Sequence, residues 1–246
     1  MASTANHTPT DNTLSKGWIA VDFDGTLARY DVRRGTAVIG KAIEPTLARV
    51  KHWLEAGIEV RIFTARASDP ALVPPVLQWL AEQGLPPLAI THRRDNDLMQ
   101  LWDDRVVQVE RNSGEVLTPK QYISLDIAGW IGVELDGTLA HYALHSHQQQ
   151  SLAIGAPVEK MYKRVQQWLM MDIDVRLFTA RAADPRMDLV IAAWLKEHQL
   201  EKLKVTCEKN FAMAQFWDDC GIHVVSNNGE VAAPLHTLTP QRKYPQ

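Results

Sequence analysis

The segment Gly17-Trp-Ile-Ala-Val-Asp-Phe-Asp-Gly-Thr-Leu-Ala28 returns as Gly129-Trp-Ile-Gly-Val-Glu-Leu-Asp-Gly-Thr-Leu-Ala140. Each copy is a short apolar run ending in two acidic residues, Asp22 and Asp24 in the first, Glu134 and Asp136 in the second. The correspondence continues down the chain. Arg61-Ile-Phe-Thr-Ala-Arg-Ala-Ser-Asp-Pro70 returns as Arg176-Leu-Phe-Thr-Ala-Arg-Ala-Ala-Asp-Pro185, Leu101-Trp-Asp-Asp104 as Phe216-Trp-Asp-Asp219, and Asn112-Ser-Gly-Glu-Val116 as Asn227-Asn-Gly-Glu-Val231. Asp24 and Asp136 are 112 positions apart and Asp104 and Asp219 are 115 apart, so the second copy gains three residues, around His145-Ser-His-Gln-Gln-Gln150. A period this long exceeds the roughly 20–50 residues of solenoid units and leaves each copy enough chain for its own core. The expected organisation is a polar arm at 1–14, then two duplicated domains, 15–125 and 126–246, packed as an intramolecular pseudo-dimer.

Within each copy, apolar runs alternate with amphipathic stretches. Trp18 to Asp22, Ile58 to Phe63, Leu88 to Thr91, Leu98 to Asp103 and Val106 to Val109 read as strands. From Glu44, the residues Leu47, Val50, Trp53 and Leu54 fall at helical spacing, with Gly57 as a stop. Pro74-Pro75 starts a second helix that runs through Val76, Leu77 and Leu80 to Gly84. In the second copy Val158, Met161, Tyr162, Val165, Trp168 and Leu169 make the corresponding helix face. Thr26 to Lys41 reads as a loop or small flap. This alternation predicts a Rossmann-like α/β fold in each copy, a parallel sheet with helices on both faces.

In such sheets ligands bind beyond the carboxyl ends of strands, where the strand order reverses. Asp22 and Asp24 follow the first strand, Thr64 and Arg66 the second, and Asp103 and Asp104 the fourth. Carboxylates crowded into one crevice repel unless a cation neutralises them. Oxygen-only ligands suit a hard ion, and magnesium favours one or two carboxylates plus a substrate phosphate.

Composition excludes several classes. A net charge of −3 offers no basic excess for wrapping a duplex, so a nucleic-acid end as substrate has no support from charge. No apolar run approaches the roughly 18 residues that span a bilayer. The arm lacks the basic and apolar regions of a signal peptide. Two cysteines, Cys207 and Cys220, make no disulfide framework, and a reducing cytoplasm is the expected location.

Asp22-Phe-Asp-Gly-Thr26, a threonine after the second strand, a basic residue after the third and an acidic pair after the fourth together resemble the haloacid dehalogenase superfamily. Most of its members are magnesium-dependent phosphohydrolases, and the short first-to-second-motif distance resembles the type without a large cap. The resemblance implies Asp22 as nucleophile on phosphorus, forming an aspartyl-phosphate, and Asp24 as the acid and base that also ligates the metal through its carbonyl. It implies Thr64 and Arg94 as phosphate-binding residues, with Asp22, Asp24, Asp103 and Asp104 around Mg2+. The family usually has lysine where Arg94 stands, and Arg93 is a neighbouring alternative. In the second copy Asp136, Thr179, Lys209, Asp218 and Asp219 match, but Glu134 replaces the nucleophile. Its extra methylene displaces the carboxylate by about an ångström, enough to cost about 10²-fold, so the second site is expected to be inactive or weak.

The resulting expectation is a phosphomonoester hydrolase acting on a small phosphorylated substrate. A non-enzymatic phosphate- or metal-binding regulatory protein is the alternative, and another reaction of the superfamily, such as dehalogenation, ranks third. Arg66 and Arg181 read equally as substrate ligands or as salt-bridge partners of the acidic cluster. Trp53, Trp79, Trp102, Trp168, Trp194 and Trp217 read as core. His145 and His147 are two metal-ligand types without a third nearby.

Overall fold

A computed structural model describes residues 17–124, 127–142 and 152–232. The arm at 1–14 and the pair His145 and His147 lie outside the described residues. The first half runs β1 (Trp18–Val21), α1 (Glu44–Glu55), β2 (Glu59–Phe63), α2 (Val73–Glu82), β3 (Ala89–Thr91), β4 (Leu98–Asp103) and β5 (Val106–Gln108). The second half repeats the series as β6 (Trp130–Val133), α3 (Glu159–Met170), β7 (Val175–Phe178), α4 (Asp188–Glu197), β8 (Lys204–Thr206), β9 (Met213–Asp218) and β10 (Gly221–His223). The apolar runs are therefore strands and the helical spacings helices. α1 buries Leu47 and Val50, and α2 buries Val76, Trp79 and Leu80, the stripe that periodicity calls for.

Two five-stranded sheets result, and every pairing within them is parallel. Their orders are β10-β4-β1-β2-β3 and β5-β9-β6-β7-β8. Each sheet thus takes an edge strand from the other half of the chain, and a cut near residue 125 would divide both sheets.

Connection length explains the exchange. Only Asp104 and Arg105 join β4 to β5. A parallel neighbour in the same sheet needs a crossover of about a dozen residues or more, so β5 has no route back to lie parallel beside β4. It passes into the second sheet and aligns Val106, Val107 and Gln108 with Phe216, Trp217 and Asp218. The equally short link Asp219–Cys220 sends β10 the other way, onto β4.

The exchanged strands carry core residues with them. Val107 and Val109 pack into the second half's core, while Ile222 and Val224 pack into the first half's. Fully burying such a side chain contributes about 1.5–3 kcal/mol, so each half draws stability from the other. Between the sheets lies a third apolar cluster that includes Trp18, Phe63, Leu101, Trp130, Phe178 and Phe216, with the Phe63 and Phe178 rings 6.4 Å apart. Trp53 and Trp102 meet edge to face at 4.9 Å, and Trp168 and Trp217 repeat the contact at 5.0 Å. No helix among the described residues is long and apolar enough to cross a membrane.

Candidate functional site

Asp22 is the first residue beyond β1, and its backbone N–H donates to the Trp102 carbonyl at 2.8 Å. Asp103 ends β4, the neighbour of β1, and Asp104 opens the link to β5. The strand order reverses at β1, with β2 on one side and β4 on the other, which is where such sheets bind ligands. Asp22, Asp103 and Asp104 each offer an oxygen within 4.8 Å of the others. Gly25 makes this approach possible. Its φ is +88°, and a Cβ there would lie 2.4 Å from Asp104 Oδ2, so both backbone and space require glycine. Thr26, one residue on, accepts the Asp104 N–H at 3.1 Å through Oγ1.

The cation of this pocket comes from the other half. Lys209 Nζ donates to Asp22 Oδ1 at 2.7 Å and to Asp103 Oδ2 at 2.5 Å. Arg94, expected at this position, points instead into the second pocket, where it pairs with Glu134 and, at 2.9 Å, with Asp218. Backbone pairing between the two loops explains the exchange. Arg94 N–H donates to the Cys207 carbonyl at 3.0 Å, and Lys209 N–H to the His92 carbonyl at 2.7 Å. Arg93 and Glu208 bridge beside them. Each loop crosses its counterpart and delivers its basic side chain to the opposite acidic cluster. Arg93 reaches neither pocket and forms an exposed ion pair with Glu208.

Burial, with Asp103 and Asp104 close by, pushes the Asp22 carboxyl well above its ordinary 3.8, even with Lys209 opposing. Burial also acts on Asp103, but Lys209 and the Arg105 N–H carry it below 3.8. Burial and then Asp103 push Asp104 up to about 6, against a hydrogen bond from Ser226. Burial works against the Lys209 ammonium, yet Asp103 and Asp22 hold it above its ordinary value, so it stays charged. Lys209 is the one direct ion-pair partner of the three carboxylates among the described residues. The Arg105 guanidinium reaches past them to the Met213 carbonyl at 2.8 Å. Asp104 Oδ1 is buried with no hydrogen-bond partner. Oxygen-only donors, an excess of negative charge and an orphaned carboxylate oxygen all fit a hard divalent cation.

Thr64 caps the turn after β2, accepting the Arg66 N–H at 3.2 Å and keeping its own O–H to donate. Of the two readings open for Arg66, the structure gives the salt bridge. Its Nε and Nη2 hold both oxygens of Asp24 at 2.7 and 2.8 Å. Its Nη1 reaches the Thr36 carbonyl at 2.8 Å, in the 3₁₀ segment Val32–Ala37. Trp79 Nε1 also holds this flap region, at Gly40. Arg181 grips Asp136 in the same way, at 2.7 and 2.8 Å.

The second pocket brings together Glu134, Asp218 and Asp219, with Thr179 caught in the same capping role as Thr64. Arginines occupy it. Arg94 lies 5.4 Å from the centroids of both Phe178 and Phe216, and Arg111 Nε pairs with Asp219 Oδ2 at 2.5 Å. Arg94 Nε and Arg111 Nη1 are buried there without a hydrogen-bond partner. Cys220, whose Sγ accepts from Arg111 Nη2 at 3.5 Å, and Cys207 are both buried and outside any disulfide.

Comparison with protein-family models, curated proteins and solved structures yields no match. Four residues that motif reading left out of these pockets, or placed in the wrong one, are now in view: Lys209 and Ser226 in the first, Arg94 and Arg111 in the second. The one sequence signal available for them was the two-residue link after β4, too short for a parallel return.

Proposed function

We propose that the chain is a magnesium-dependent phosphomonoester hydrolase acting through Asp22, a duplicated, capless protein of the haloacid dehalogenase type whose second pocket does not turn over. The observation that carries this reading is the convergence of Asp22, Asp103 and Asp104 with Lys209 at the strand-order switch. The lysine that the resemblance leads one to expect where Arg94 stands is supplied beside Asp22 by the opposite half.

Asp22, the Asp24 carbonyl, Asp103 and Asp104 would hold Mg2+, which when bound neutralises charge on the phosphoryl oxygens. An Asp22 oxygen attacks phosphorus as the ester P–O bond breaks, and the leaving oxygen takes a proton from Asp24. Lys209 holds the Asp22 carboxylate in place and stabilises negative charge on the transferring group. Thr64 donates its hydroxyl to a phosphoryl oxygen. Water then attacks the aspartyl-phosphate, giving its proton to Asp24 and freeing phosphate and Asp22. Asp24 must leave the Arg66 fork to exchange protons. Because Arg66 also holds Thr36, movement of the flap and release of Asp24 share one side chain.

One observation favours the second reading, a phosphate- or metal-binding protein without turnover: Arg66 engages both oxygens of Asp24. Hydrolysis of an aryl phosphate with and without Mg2+ separates the two. Magnesium-dependent turnover lost in Asp22→Asn and kept in Glu134→Gln is the expected result. Absence of turnover across a phosphoester panel would leave the binding reading in its place.

A further inference from the structure

The two pockets offer a controlled comparison inside one molecule. After each exchanged strand the chain makes a hairpin, closed by the bridges Val109–Val116 and Val224–Val231. Each hairpin docks on the acidic turn of the opposite half through an asparagine in the left-handed region, Asn112 at φ 61° and Asn227 at φ 59°. Asn227 donates its N–H to the Gly25 carbonyl at 2.7 Å and accepts the Tyr30 N–H at 2.7 Å. Asn112 does the same with Gly137 and Tyr142, both at 2.7 Å. The clamps are equivalent, so the residue before each asparagine is held at an equivalent place over the acidic pair. That residue is Ser226 over Asp104 and Arg111 over Asp219.

The consequences differ in which carboxylates find an ion-pair partner. Ser226 gives Asp104 a neutral hydrogen bond and leaves its Oδ1 buried and unsatisfied. Arg111 pairs with Asp219 and Arg94 is shared by Glu134 and Asp218, so each of the three carboxylates has an arginine partner. The buried atoms without a hydrogen bond there are guanidinium nitrogens of Arg94 and Arg111 and Glu134 Oε2, which Arg94 holds in an ion pair. A pocket that keeps a carboxylate without an ion-pair partner, as Asp104 is among the described residues, calls for a cation, whereas one whose carboxylates each face a guanidinium already holds a counter-charge beside every one of them.

We infer that positions 226 and 111 decide whether the acidic pair of the opposite half takes a divalent cation, so that the chain holds one such ion, in the first pocket, with arginines in its place in the second. This rests on the reading of the first pocket as a metal site. It adds that the hairpin of the second half keeps the site open, and that two side chains close its twin. Asp218, Asp219 and Cys220, which have the spacing of a ligand set, therefore bind no ion in the intact chain.

Counting bound Mn2+ on the full chain by electron paramagnetic resonance tests this, with circular dichroism reporting the fold of each variant. The expected result is one ion in the wild type, lost in Asp104→Asn. Ser226→Arg should weaken Mn2+ more than about 100-fold, beyond the usual effect of a neighbour of a metal ligand, and Ser226→Ala less than about 10-fold. Arg111→Ser together with Arg94→Lys should admit a second ion. If that double variant fails to fold, the two Ser226 variants decide the question alone. A wild type that binds no ion overturns the metal reading and this inference with it. A wild type that binds one ion in the first pocket, but a Ser226→Arg variant of unchanged affinity or a folded double variant holding one ion, overturns this inference alone. Two ions in the wild type also overturn it.

Discussion

Lys209→Met is the sharpest perturbation, because Lys209 belongs by sequence to one half and by position to the other. Its ammonium lies 2.7 Å from Asp22 and 2.5 Å from Asp103, and its side chain is 3% exposed. At an effective dielectric of about 20, each contact is worth roughly 6 kcal/mol of attraction, and the desolvation of the ammonium offsets much of it. Removing one member of a buried ion pair typically costs about 3–5 kcal/mol, because the remaining charge is left uncompensated. For a chain of this size that is a fall in Tm of roughly 6–20 °C. Asp22, already raised by burial, rises further and loses the charge a nucleophile needs. The electrostatic role adds a turnover loss of about 10²–10³-fold. Scanning fluorimetry and aryl phosphate hydrolysis, each with and without Mg2+, separate the effects, since Mg2+ should recover part of the Tm and none of the turnover. Arg94→Lys, in the other pocket, should leave turnover within about twofold. A Lys209→Met protein with unchanged Tm and full activity, or an Arg94→Lys protein that loses activity, would refute the exchange of basic residues between pockets.

Other outcomes follow from the same structure. Residues 1–125 alone lack β10 and Lys209, so they should show no turnover, and adding residues 126–246 should restore it; activity of the first fragment by itself counts against the shared site. Gly25→Ala forces a Cβ to within 2.4 Å of Asp104 Oδ2 at a φ of +88°. It should cost more than about 1 kcal/mol and weaken Mg2+ binding, measurable by denaturant unfolding and calorimetry. His223, on exchanged β10, is buried, with Nδ1 2.6 Å from the Val106 carbonyl, and burial holds its pKa below the ordinary 6.5. The unfolded chain therefore takes the proton first, and stability falls as pH drops below 6.5. Asp104, pushed up to about 6 without a cation, acts in the opposite sense, its ionisation costing stability as pH rises from 3.8. The histidine effect is thus read as the difference in Tm between wild type and His223→Gln, which should close below pH 6.5; parallel curves would exclude it.

Much of the local structure was legible in the residues. The strands ending at Asp22 and Asp103, and the helices from Glu44 and Pro74, follow from apolar period, proline and glycine, which act within a few neighbouring positions. The convergence of Asp22, Asp103 and Asp104 was legible for the same reason, since strand ends carry them to the switch point. Arg66 was not decidable at that level. Its partner, Asp24, lies 42 positions away, and only the packed turn shows which group the fork meets.

By itself, then, the sequence determined the strands and helices, the parallel sheets, the carboxylates and the difference between Asp22 and Glu134. Only the tertiary structure decided which cation serves which carboxylate. Both halves carry the same pattern, so no motif distinguishes β5 returning to its own sheet from β5 crossing to the other, or Arg94 facing Asp22 from Arg94 facing Glu134. The two-residue links after β4 and β9 settle that choice sterically, because a parallel return cannot be made in so little chain. Once the strands cross, the basic loops and the hairpins cross with them, and a lysine and a serine of the second half complete the pocket of the first.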